Sequence, residues 1–144
     1  TGCIGIVRNQ EVHYYETPVK RHTTDSEFSV SDLESLPKVS IVYFSVDADP
    51  GLLTYAAEHS DGIVIAGAGA GEFSKEFIDA INQLKIPVVI SSRTNTGLIT
   101  QDSVLCQNTV AANTLSPSKA AVLLRLALTT DCNHEALMRM YAEY

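Results

Sequence analysis

The chain reads as an α/β domain built on a small parallel sheet flanked by helices and preceded by a β-hairpin and a linker. Two observations carry that reading. Three near-continuous apolar runs, Val39-Ser40-Ile41-Val42-Tyr43-Phe44, Gly62-Ile63-Val64-Ile65-Ala66 and Ile86-Pro87-Val88-Val89-Ile90, have the length of strands. Runs that do not alternate with polar residues imply strands covered on both faces, as in a parallel sheet. Between them lie helix-start signals followed by apolar residues at helical spacing.

The second run opens into Gly67-Ala68-Gly69-Ala70-Gly71, a turn at the carboxyl end of a strand, where open α/β sheets collect their ligand-handling loops. After the first run, Asp49-Pro50 supplies an N-cap and a first-turn proline, with Leu52, Leu53, Ala56 and Ala57 on one helix face. After the glycines, Phe73, Phe77, Ala80, Ile81 and Leu84 form the next helical stripe, with Glu72 and Glu76 near its positive end. Ser91 to Asn108 shows no clear period and reads as a long functional or interface loop. Ser116-Pro117 then starts a helix that is apolar almost all round, from Ala120 to Leu128, and a last helix from about Asn133 uses Leu137, Met138 and Tyr141 as its inward stripe.

Ahead of this domain, Ile4 to Thr17 holds two β-prone stretches around Arg8-Asn9-Gln10. An isolated hairpin is marginal in water, so it should lean on the main domain or on a sheet supplied from elsewhere. Pro18 to Pro37 has connector composition. The domain division expected is therefore residues 1–37, hairpin and linker, and 38–144, the α/β domain.

With 10 basic and 17 acidic residues the formal charge is −7. That balance opposes phosphate backbones and anionic lipid, so neither nucleic acid nor a membrane is expected as a partner. Cys3, Cys106 and Cys132 are widely spaced and odd in number, which fits neither a closed disulfide framework nor a metal site, and buried inert cysteine is the expectation for each. No cofactor and no metal are expected. The glycine turn departs from the dinucleotide fingerprint, since Glu72 stands where the last glycine belongs and Ile90-Ser91 where an acidic residue belongs. Asp47 and Asp49 resemble the acidic pair of a phospho-receiver only superficially, because the loop after Ile90 offers Arg93 where a lysine is required. None of His13, His22, His59 and His134 is tied by motif to a cysteine. The chain shows no self-contained catalytic set. Asp49 has a capping duty; Asp47 has none and stands as the site candidate.

Four ordered motifs carry a resemblance: Leu36-Pro37-Lys38-Val39-Ser40-Ile41-Val42-Tyr43; Asp61-Gly62-Ile63-Val64 with Ala66 to Gly71; Val88-Val89-Ile90-Ser91-Ser92-Arg93 with Gly97; and Leu115-Ser116-Pro117-Ser118-Lys119-Ala120 with Leu126-Ala127-Leu128-Thr129. Together they resemble the carboxyl-terminal part of bacterial type II L-asparaginases, and Thr17-Pro18 with Lys20 to Thr23 resembles that family's interdomain linker. The resemblance implies hydrolysis of L-asparagine, and of L-glutamine in some members, by a threonine nucleophile in an amino-terminal domain. The Thr-Gly-Gly-Thr and Gly-Thr-Asp-Thr segments of that domain are not in this sequence, so the chain is expected to be inactive alone. It further implies a homo-oligomer, dimer or tetramer, in which the loop after the first strand of this domain completes a neighbouring subunit's substrate site. Asp47 matches the residue that holds the substrate's α-amino group. Val104 stands where the family often has a glutamate. A type II enzyme would be periplasmic or secreted. The alternative is a free-standing flavodoxin-like binding or interaction module sharing only the scaffold.

Overall fold

A computed structural model describes residues 4–16, 19–94 and 97–144. Cys3, the Thr17-Pro18 pair and the Asn95-Thr96 part of the loop after Ile90 lie outside the described residues.

The domain is a three-layer sandwich around one four-stranded parallel sheet. Its strands are β3 (Val39–Tyr43), β4 (Gly62–Gly67), β5 (Val88–Ser92) and β6 (Thr109–Ala111), in spatial order β3-β4-β5-β6. The hairpin strands, β1 (Gly5–Arg8) and β2 (Glu11–Tyr14), pair apart from them. Every residue of β4 and β5 is buried. Side chains alternate across each strand, so adjacent positions serve opposite layers. Ile63, Ile65, Val88, Ile90 and Ala111 pack against Leu53 and Ala56 of α1 (Gly51–Glu58) and Phe77 and Ile81 of α2 (Lys75–Gln83). Val64, Val89 and Val110 face the other way, onto Ala120, Leu123, Leu124 and Ala127 of α3 (Pro117–Ala127) and Leu137, Met140 and Tyr141 of α4 (His134–Glu143).

Local chemistry fixes the helix ends. Ser74 accepts the Phe77 amide at 3.3 Å and Asn133 accepts that of Ala136 at 2.9 Å, each satisfying a first-turn donor. Three details differ from the sequence reading. Helix α1 begins at Gly51 with Pro50 in the cap position, although the Asp49 carboxylate does accept the Gly51 amide at 2.8 Å. Glu72 and Phe73 precede α2, because Ser74 caps it. On α4 the inward methionine is Met140, 3% exposed, and Met138 points outward; Leu137, Met140, Tyr141 and Tyr144 make the stripe. The mostly apolar α3 is covered by the sheet and α4, with Val122 left 58% exposed.

The fourth strand was not expected from the sequence. Its outer edge is closed by one side chain: Gln101 donates from Nε2 to the Thr109 carbonyl at 2.9 Å and accepts the Ala111 amide on Oε1 at 2.9 Å. A primary amide carries one donor and one acceptor group in the arrangement a neighbouring strand would present. Ile99 adds a backbone bond to Asn113 at 3.1 Å.

The hairpin forms as expected, with Arg8 opposite Glu11 and positive φ at both Asn9 and Gln10, the geometry of a two-residue type I′ turn. It does not lean on the domain: Ile6, Val7, Val12 and Tyr14 are 48 to 72% exposed. The connector, in contrast, is strapped to α4. Arg21, Glu27, Arg139 and Glu143 close a ring of four ion pairs at 2.7 to 3.1 Å. The Lys20 ammonium donates to the Ala142 carbonyl, the Glu27 amide donates to the Tyr144 hydroxyl at 3.0 Å, and Phe28 packs on the Tyr144 ring with centroids 5.5 Å apart.

Two predictions follow from these contacts. Gln101→Ala leaves a strand amide and a carbonyl without partners and should lower stability by about 1 to 3 kcal/mol, read from the denaturant midpoint; Gln101→Glu, which keeps the acceptor and loses the donor, should be destabilised as well. The strap should open in acid. Hydrogen bonding from Arg139, followed by the charges of Arg139 and Arg21, outweighs burial and holds the Glu27 carboxyl below its ordinary range. Its contribution is therefore present above the ordinary glutamate value and lost as pH falls through the depressed one. Hydrogen exchange of residues 19–28 should rise below about pH 4 while β4 and β5 stay protected.

Candidate functional site

The loops after the four parallel strands gather at one edge of the sheet. The first, residues 44–50, carries Asp47. Phe44 anchors its start: its amide donates to the Ala66 carbonyl at 3.0 Å, and its ring meets Phe73 and Phe77 with centroids 5.4 and 5.0 Å away. Beyond it the Ala48 amide closes a turn onto the Ser45 carbonyl at 3.1 Å. Asp47 sits third in that turn at φ +62°, a left-handed conformation that Asp and Asn tolerate better than most residues. Val46, 83% exposed, and Asp47 form the crest of the loop. The Asp49 cap on Gly51 fixes the far end. The structure thus presents the Asp47 carboxylate outward from a loop held at both ends.

The glycine turn after β4 closes on itself rather than around a ligand. The Gly71 and Glu72 amides both donate to the Ala68 carbonyl, at 2.8 and 2.9 Å. Helix α2 begins only at Lys75, so the turn does not aim a helix start at a phosphate. Its glycines are structural: a Cβ on Gly67 would lie 2.8 Å from the Gly71 Cα, and Gly71 has φ +91°.

Beside this turn runs the segment after β5. The Ser92 hydroxyl donates to the Gly69 carbonyl at 2.7 Å, and Ser91 donates to the Leu115 carbonyl at 2.8 Å. The Arg93 amide donates to Gly67 at 2.9 Å, and its guanidinium reaches across to the Phe44 carbonyl at 3.0 Å. Sequence reasoning gave Arg93 no role at the site; its partner stands 49 positions earlier, and no local pattern announces that pairing.

Other candidates settle differently. Cys106 is 6% exposed, and burial pushes its thiol up to about 11, the reverse of nucleophile activation. Cys106 and Cys132 are free, and no hydrogen bond joins either to a histidine among the described residues. His59 caps α1, stacking on Tyr55 at 4.2 Å and donating from Nδ1 to the Tyr55 carbonyl at 2.8 Å. Among the described residues no group of three or more His, Cys, Asp or Glu is placed to hold a metal ion, and no helix is long and apolar enough to cross a membrane. Val104 is half-buried against the α1 and α2 side of the core.

A parallel α/β domain with an outward carboxylate on its first strand-end loop and an inert buried thiol is the class these features define. Residues 38–141 match the Glutaminase/Asparaginase C-terminal domain, and the chain belongs to that family. It is 38% identical to L-asparaginase 2 of Escherichia coli over 99% of this chain and 43% of that protein. It is 34% identical to a probable periplasmic L-asparaginase of Haemophilus influenzae, with the same coverages, and 31% identical to a glutaminase-asparaginase of Pseudomonas fluorescens biotype A, over 99% of this chain and 42% of that protein. The crystal structure of a probable cytoplasmic L-asparaginase from Campylobacter jejuni superposes with a TM-score of 0.86 at 34% identity, over 98% of this chain and 48% of that one. The chain thus spans less than half the length of these relatives.

The turn geometry separates two of its glycines. Gly67→Ala forces backbone against backbone and should cost about 1 to 3 kcal/mol. Gly69→Asn has φ +48° and meets only the tip of Glu72 at 3.7 Å, so its thermal unfolding curve should nearly overlay the parent's.

Proposed function

We propose that this chain works as the carboxyl-terminal part of an L-asparaginase, hydrolysing L-asparagine to L-aspartate and ammonia, with L-glutamine as a second substrate. In this reading residues 1–37 are the hairpin and interdomain linker and 38–144 the domain. The nucleophilic threonine and its assisting groups come from residues outside these 144. The observation that carries the reading is the 38% identity to L-asparaginase 2 across nearly all of this chain, combined with an outward Asp47 on the strand-end loop.

The chain's own contribution is to bind rather than to react. Asp47 accepts hydrogen bonds from the α-ammonium of a substrate held in a neighbouring subunit, a charge-assisted contact that orients the amide toward the nucleophile. Valine at 104 cannot share that task, which leaves Asp47 as the carboxylate of these two positions. Homo-oligomerisation is part of the same proposal, supported by the exposed apolar residues of the hairpin and of β3, where Ile41 and Tyr43 are 38 and 58% exposed. A periplasmic location is supported by the name of the Haemophilus relative, while the Campylobacter relative is named cytoplasmic.

The test is kinetic and is made on the complete gene product. Asp47→Ala should raise KM for L-asparagine about tenfold to a hundredfold, as loss of a hydrogen bond to a charged group does. Asp47→Asn, which keeps the turn and the acceptor oxygen, should do less. An unchanged KM in Asp47→Ala, or a monomer in sedimentation, would overturn the assignment.

A further inference from the structure

We propose that Arg93 is the residue that positions the Asp47 loop for substrate, by locking the point where β3 gives way to that loop. This rests on the reading of Asp47 given under the proposed function. The geometry is specific. A loop that leaves a strand at an outer edge of a sheet has a neighbour on one side only, and β3 is an outer strand. The Phe44 amide is held by Ala66, and the Phe44 ring by Phe73 and Phe77. Its carbonyl, the last main-chain group before the Ser45 to Ala48 turn, receives the Arg93 guanidinium at 3.0 Å.

Arg93 is itself fixed at its backbone. Its amide bonds to Gly67, extending the pairing of β4 with β5 by one rung, and the adjoining Ser92 hydroxyl bonds to Gly69. The guanidinium therefore spans from the buried centre of the sheet, over β4, to the edge loop. A planar group with five fixed donors suits this task better than a flexible ammonium. Asp47 lies three residues beyond the held carbonyl, in a left-handed conformation that costs energy unless its surroundings enforce it. Without the Arg93 contact the turn would hinge about Phe44, and the carboxylate would sample orientations away from the substrate's ammonium. Arg93 touches no substrate in this proposal; it acts through the loop.

The experiment pairs kinetics with hydrogen exchange on the complete gene product. Arg93→Gln should raise KM for L-asparagine about tenfold with kcat and the unfolding midpoint little changed, since the side chain is exposed. Exchange of the Ala48 amide, which is held by the Ser45 carbonyl, should accelerate in the same variant. Arg93→Lys, which can still donate to the Phe44 carbonyl, should restore part of both effects. The double variant Arg93→Gln with Asp47→Ala should be no worse in KM than Asp47→Ala alone. Protection of the Ala48 amide retained in Arg93→Gln overturns the inference whatever the kinetics show. Rapid exchange with KM unchanged also overturns it, provided Asp47→Ala does raise KM. If Asp47→Ala is silent, the functional reading fails, and the substrate part of this inference falls with it.

Discussion

Parallel strands buried on both faces are the constraint on which the rest of this structure depends. No solvent can relieve an unpaired amide at β4 or β5, so each must find its partner in a neighbouring strand, and each side chain must be apolar or locally hydrogen-bonded. Ser91 and Ser92, the polar residues of β5, meet that demand by donating to the Leu115 and Gly69 carbonyls. Alternation then assigns Ile63, Ile65, Val88 and Ile90 to one layer and Val64 and Val89 to the other. The helices have little choice: α1 and α2, each joining consecutive parallel strands, cover the first face, and α3 and α4 cover the second.

From that frame the candidate site follows. Strand ends of a buried sheet are where main-chain groups run out of strand partners, and here the loops satisfy them with one another. The glycine turn folds its amides onto Ala68, Ser92 closes over the turn, and Arg93 ties it to the loop bearing Asp47. The edge that could have bound a phosphate instead holds itself shut, and it leaves a carboxylate on display. In the proposed function, such a platform binds a small ammonium-bearing substrate and supplies no chemistry of its own.

Much of this was legible in the residues because it is local. Continuous apolar runs named three strands, and Asp49-Pro50, Ser116-Pro117 and Asn133 marked three helix starts within a residue or two, whereas the Ser74 cap of α2 was missed. What escaped was non-local. Strand β6 is three residues in a polar neighbourhood, and it is a strand because β5 lies on one side and the Gln101 amide on the other. The strap on α4 joins Glu27 to Arg139, 112 positions apart, so composition showed only a connector. The choice of Met140 over Met138 turned on which methionine sits a helical turn before Tyr144, a distinction an apolar count does not make. Asp47 stood out as a candidate because it lacked a capping duty and because the resemblance gave it a role, and its left-handed turn became visible only in the structure.

The two outer strands are not equivalent. At β6 the outward amide and carbonyl are spent on Gln101, so nothing can be zipped onto that side, while β3 has β4 on one side alone and carries exposed Ile41 and Tyr43 on its pleat. The sheet can therefore lengthen in one direction only. Two copies joined along β3 would make eight strands ending in a glutamine at either rim, and such an object is finite. The Gln101 side chain, with the Ile99 backbone beside it, thus caps one edge of the sheet and leaves the other open.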